Sequence, residues 1–183
     1  MTHAQELEKV VENYFQYIKE LRRGDEGAVG KLVDLWDDDG IFEFAGSPPI
    51  TGTFKGRMAI HTLYKNRVKA GGMPIMMQAR PTQPATEESL GIVDSRIDRM
   101  RVVGGGTDSK PERVVVGWTS VVGTRDKKGF EVSGSHTFTF KDHRIASLNV
   151  IVSPKPDETS GLSLKDLGVD DIGRLTLAAW AIV

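Results

Sequence analysis

The segment from Phe130 to Lys141 sorts its side chains by parity. Even positions hold Phe130, Val132, Gly134, His136, Phe138 and Phe140, while odd positions hold Glu131, Ser133, Ser135, Thr137, Thr139 and Lys141. Successive side chains of a strand point to opposite faces, so this pattern predicts a strand with one apolar and one polar face. It also places His136 in the apolar row. Further strands are predicted at about 74–81, 90–103, 113–125 and 144–153. The turns between them come from Gly104-Gly105-Gly106, Asp126-Lys127-Lys128-Gly129 and Asp142-His143.

Before these strands the period changes to that of a helix. Residues 4–22 carry Leu7, Val10, Val11, Tyr14, Ile18 and Leu21 at spacings of three and four, with Glu and Lys between them. Gly24 ends this helix and Asp25 can cap a second one, whose apolar residues are Val29, Leu32, Val33 and Trp36. The run Asp37-Asp38-Asp39-Gly40 is expected to close it, before a short strand at Ile41-Phe42-Glu43-Phe44. A third helix is predicted over 57–69. Helices followed by a meander of strands make an α+β plan, with three N-terminal helices packed on one face of an antiparallel sheet. The predicted organisation is a pocket domain over residues 1–155 and a C-terminal extension over 156–183. In the extension, Ile172, Leu175, Ala179 and Ile182 form the stripe of an extra helix, which docks on its own sheet or on a partner subunit.

Charge and composition exclude several functions. With 24 basic and 25 acidic side chains, the chain lacks the basic excess of a nucleic-acid binder. The absence of cysteine excludes disulfides and thiolate metal sites. The stretch MTHAQELEKVVENYF has no apolar signal-peptide core, and no apolar run reaches the roughly 18 residues of a membrane span. A cytoplasmic location without membrane association is therefore expected. The histidines His3, His61, His136 and His143 show neither His-x-His nor His-Glu-x-x-His spacing, so no zinc site is expected. Gly104-Gly105-Gly106 lacks the following Lys-Ser/Thr and helix of a phosphate loop, so no nucleotide cofactor is expected either.

Three stretches carry a resemblance. They are Arg23-Gly24-Asp25 with the helix leading to Leu35-Trp36-Asp37-Asp38-Asp39-Gly40-Ile41-Phe42-Glu43-Phe44, then Gly52-Thr53-Phe54-Lys55-Gly56-Arg57-Met58-Ala59-Ile60, and the strand pair Ser135–Phe140 and Arg144–Asn149. In order and content they resemble the nuclear transport factor 2-like superfamily. That group includes SnoaL-like polyketide cyclases, steroid Δ5-isomerases and scytalone dehydratase. The resemblance covers about residues 5–153 and implies a cystatin-like cone, in which a curved sheet and helices enclose an apolar pocket. It implies a small hydrophobic ligand and, for an enzyme, cofactor-free isomerase, cyclase or dehydratase chemistry. Carried over by position, it implies Tyr17 as a hydrogen-bond donor and His136 in place of a carboxylic acid. The general base of the steroid isomerases falls on Phe44, which cannot take a proton. A non-catalytic ligand carrier or oligomerisation module is the alternative.

The candidate site follows from both lines. His136 and Tyr17 are the candidate catalytic residues; Tyr14, Trp36, Phe42, Phe44, Trp118, Phe138 and Asn149 are the candidate ligand-binding residues. A histidine in an apolar row is either a satisfied core residue or a proton shuttle and donor. Without a carboxylate partner, burial disfavours its charged form. Asn149 is expected to share a face with Ile145 and Ile151, either bonding across strands or facing a ligand. Strand 144–153 then has apolar residues on both faces, which predicts a homodimer through the outer face of the sheet.

Overall fold

The structure is a computed structural model, and it describes residues 2–45, 52–69, 91–104, 112–123 and 128–154. The predicted strand at 74–81 and the C-terminal helix lie outside the described residues. Helix α1 runs His3–Arg22 and opens with a reciprocal cap: the Gln5 amide donates to Thr2 Oγ1 while the Thr2 amide donates to Gln5 Oε1. Leu7, Val11, Tyr14, Ile18 and Leu21 are buried along one stripe of it. Gly24 adopts φ +84° just beyond its end, where a side chain would be strained. Asp25 Oδ1 accepts the Gly27 amide at 2.8 Å and starts α2 (Gly27–Asp34), which buries Ala28, Val29, Leu32 and Val33. Each fully buried Leu or Val stabilises the packing by roughly 1.5–3 kcal/mol.

Strand β1 (Trp36–Ala45) begins almost at once. The expectation that Asp37-Asp38-Asp39 closes the second helix is corrected here, because these residues already belong to the strand. The chain is drawn into the sheet by backbone pairing: Trp36 pairs with Ile145, whose amide donates to the Leu35 carbonyl at 2.8 Å. Asp38 pairs with Arg57 Nη1 at 3.1 Å and Asp37 lies 3.8 Å from Lys141 Nζ. The other Arg57 nitrogen, Nη2, donates to the Trp36 carbonyl at 2.8 Å. The acidic run thus lies beside cations on two other elements, in partly exposed ion pairs.

Strand β2 (Gly52–Lys55), helix α3 (Arg57–Lys69) and strands β3 (Gly91–Val103), β4 (Arg113–Gly123), β5 (Lys128–Lys141) and β6 (Arg144–Pro154) follow. The six strands form one open sheet in the order β2-β1-β6-β5-β4-β3. Neighbours are antiparallel except β1 and β6, which run parallel, so the sheet is mixed where an antiparallel one was expected. Helices α1, α2 and α3 share one core with Phe42, Val114, Val116, Trp118, Phe138, Ile145, Leu148 and Val150 from the sheet. Among the described residues, no helix is long and apolar enough to cross a membrane.

Strand β6 departs from simple alternation. Phe140 pairs with Ile145 but Thr139 pairs with Ser147, so an extra residue bulges between them. Parity flips there. Ile145, Leu148 and Val150 are all fully buried, which leaves Ser147, Asn149 and Ile151 on the other face. The outer face of β6 thus carries Ser147 and Asn149 beside the exposed Ile151, and Ile145 joins the buried row.

Candidate functional site

His136 is one of two buried polar residues among those described, and no part of it reaches solvent. Alternation along β5 sets it between the outward Ser135 and Thr137 and in the same row as Phe138. Its ring lies 5.3 Å from Phe15, 5.9 Å from Phe138 and 6.3 Å from Tyr14, centroid to centroid. Trp118 Nε1 donates to His136 Nδ1 at 2.8 Å. A nitrogen that accepts this bond carries no proton, so the ring is neutral with its hydrogen on Nε2. In that form Nε2 can donate a hydrogen bond but cannot act as a base.

A missing side chain makes this bond possible. Trp118 and Gly134 are register partners on β4 and β5, and the indole lies across the glycine to reach His136 two residues on. A Cβ at Gly134 would sit 2.3 Å from Trp118 Cζ2 and 2.2 Å from the Ile151 carbonyl oxygen. Helix α1 closes the cluster from the other side. Tyr14 is fully buried, and its hydroxyl accepts from Tyr64 of α3 at 3.3 Å.

The candidate residues divide among separate places. Tyr14, Trp118, His136 and Phe138 come together around the imidazole. Trp36, Phe42 and Phe44 form a second aromatic group, with Phe42 centroids 6.2 Å from Trp36 and 5.5 Å from Phe44. Trp36 is fully buried, and its Nε1 has no hydrogen-bond partner among the described residues. Tyr17 stands apart: it is half-buried on α1, with Lys31 Nζ 5.6 Å from its ring centroid. The tyrosine beside His136 is Tyr14, one helical turn earlier. Asn149 is also elsewhere. The bulge turns it to the face opposite His136, where its Nδ2 donates to Glu43 Oε2 at 3.2 Å. Its expected shared face with Ile145 is corrected accordingly.

Sequence spacing missed one further grouping. His3, Glu6 and His143 meet at an end of the molecule with Glu112 beside them, although their separations in the chain associate only the first two.

Three helices over an open, curved six-stranded sheet, enclosing a histidine and two tyrosine hydroxyls among aromatic rings, define an α+β chain organised around its interior sheet face. No protein-family profile and no curated protein sequence matches it. Solved structures do. A provisionally assigned isomerase from Bacillus subtilis aligns with a TM-score of 0.53 at 15% identity, over 84% of this chain and 91% of that one. A nuclear transport factor 2-like protein of unknown function from Mesorhizobium loti gives 0.51 at 16% identity, over 84% and 95%. Another nuclear transport factor 2-like protein, from Burkholderia xenovorans, gives 0.50 at 17%, over 81% and 90%. The chain has the nuclear transport factor 2-like fold.

Proposed function

We propose that this protein binds a small hydrophobic molecule against the interior sheet face, with His136 as the group that recognises a ligand oxygen. One observation carries the reading: an imidazole held neutral by Trp118, inside an interior otherwise built of aromatic and aliphatic side chains. Sites for small apolar ligands have this make-up, mostly hydrophobic with a few placed polar groups. The ligand chemistry that fits is a carbonyl-bearing, largely apolar skeleton, since Nε2–H is a donor. Tyr14, whose ring lies 6.3 Å from the imidazole, carries a hydroxyl that accepts from Tyr64.

A second reading makes the protein a cofactor-free isomerase, cyclase or dehydratase. It is favoured by the same Nε2–H, which would stabilise negative charge developing on a carbonyl oxygen, and by the likeness to the Bacillus subtilis protein. Phe44 at the position of the steroid-isomerase base weighs toward binding without catalysis.

Titration with apolar ketones and enones, followed by tryptophan fluorescence, tests the reading. Saturable quenching is expected, weakened at least tenfold in His136→Phe with the far-ultraviolet spectrum retained. A panel that leaves the parent protein's emission unchanged, or that binds His136→Phe equally well, would overturn it.

A further inference from the structure

We propose that His3, Glu6 and His143 form a binding site for one divalent transition-metal ion, zinc by ligand chemistry. In it Glu112 acts as the carboxylate that orients His3. The three ligand atoms all lie within 4.8 Å of one another. Both imidazoles aim at a single carboxylate oxygen: His143 Nδ1 is 3.2 Å and His3 Nδ1 is 3.9 Å from Glu6 Oε2. The two rings meet edge to face at 4.9 Å. Surface pairs of His with Glu are common, and each alone would contribute little. Two imidazole nitrogens and one carboxylate oxygen in reach of each other are the donor set of zinc, cobalt and nickel sites, and an ion between them would be ligated by all three.

Glu112 supplies the independent observation. Its Oε2 is hydrogen-bonded to Nε2 of His3, the nitrogen turned away from Glu6. A carboxylate only accepts, so this bond takes the Nε2 proton, and in the neutral ring it leaves the Nδ1 lone pair on the side of Glu6. Metal-ligating histidines are held by a carboxylate in this way, which fixes the tautomer and makes the ligating nitrogen more basic. Zinc bonds of about 2.0–2.1 Å would draw the three donors to about 3.3 Å from one another. Side chains that are 51%, 35% and 50% exposed can make that adjustment by rotation.

Every ligand sits on fixed backbone. His3 and Glu6 occupy the first turn of α1 behind the Thr2–Gln5 cap. Glu112 precedes β4, and its carbonyl accepts the Phe140 amide at 3.3 Å. Asp142 and His143 form the two-residue turn between β5 and β6, with φ 49° and 61°, as a type I′ hairpin requires. Along β5 the turn lies roughly 20 Å from His136, so the ion would clasp α1 to the sheet and take no part at the interior face.

The test uses the full chain without an affinity tag, stripped with chelator and titrated with zinc chloride by calorimetry. Cobalt chloride serves as a spectroscopic probe. One zinc per chain and a visible cobalt band are expected, with a rise in Tm on zinc addition. Glu6→Gln and His143→Gly should each weaken zinc binding at least tenfold. Glycine suits the left-handed turn, so His143→Gly separates ligation from folding. His61→Asn, on α3, should bind as the parent does. Failure of the parent to bind zinc saturably at one per chain overturns the proposal. So does an unchanged affinity in both Glu6→Gln and His143→Gly, which would place the ion elsewhere.

Discussion

Trp118 lies across Gly134, its partner on the neighbouring strand, and a single methyl group at that glycine would meet the indole at 2.3 Å. The second obstruction, the Ile151 carbonyl at 2.2 Å, is backbone and cannot swing aside as a side chain can. Gly134→Ala should therefore displace either the indole or β6. A loss of about 1–3 kcal/mol is expected from overpacking, measured by urea unfolding, with a shift of tryptophan emission as the indole leaves His136. A stability equal to the parent's would show that the strands part at low cost.

The indole–imidazole bond predicts coupling between its ends. Trp118→Phe and His136→Phe each strand one buried partner, at a cost of about 1–3 kcal/mol. The double variant should cost less than the sum by about 0.5–3 kcal/mol. Trp36→Phe is the natural comparison, because it removes the same ring volume from an indole whose nitrogen has no partner among the described residues. It should cost less than Trp118→Phe. Strict additivity in the cycle would mean that the bond contributes nothing to stability.

Asn149 should be separable from the interior site. Its amide bonds Glu43 on the outer face, so Asn149→Ala is expected to change stability by no more than about 0.5 kcal/mol. Ligand binding should be unaffected. A tenfold loss of affinity in this variant would show that the face assigned to it by the bulge is not the one that matters in solution.

Between α1 and α2, Lys31 Nζ donates to Glu20 Oε2 at 3.0 Å. That bond, followed by one from Gln16, holds the Glu20 carboxyl below the ordinary glutamate range, while Glu20 raises the Lys31 ammonium. The folded-state value of Glu20 is the lower one. Its contribution to stability is therefore complete above the ordinary glutamate value and disappears as pH falls through the folded value. Removing the cation in Lys31→Met should move the Glu20 midpoint upward, read from its side-chain carboxyl carbon by NMR. A midpoint that stays in place would assign the depression to some other group.

Periodicity in the sequence carried the helices and the interior row of β5 well. Helix α1 was expected over 4–22 and occupies His3–Arg22; α3 matches its predicted 57–69. Helix α1 has a long apolar stripe, α3 buries Ile60, Leu63 and Tyr64, and β5 alternates from Ser135 to its turn. What failed was local exception and distant approach. The bulge after Ile145 inverts β6, and nothing in the run Ile145-Ala146-Ser147-Leu148 marks which residue is extra. Asp37-Asp38-Asp39 suited a helix end by composition, but Ile145, whose pairing with Trp36 draws the chain into the sheet, lies too far along the chain to be weighed beside them. Tyr14 and Tyr17 both edge the same helical stripe, and only the position of β5 decides which one meets His136. The convergence of His3, Glu6, Glu112 and His143 depends wholly on how α1 crosses the ends of β4, β5 and β6.

The parallel seam between β1 and β6 has a consequence in time. Glu43 and Asn149 face each other across it although 106 residues separate them. The hairpins β3–β4, β4–β5 and β5–β6 can each zip from a nearby turn, and β1 pairs early with β2. Joining the two parts closes a very long loop, and contacts of that kind form late because the chain entropy is lost before the pairing compensates it. On a ribosome, β1 emerges long before its partner exists. Until β6 appears, the inner edge of β1 is an unpaired strand beside Trp36 and Phe42, open to pairing with another chain. The seam that completes the sheet is thus also where a nascent copy is most exposed to misassembly.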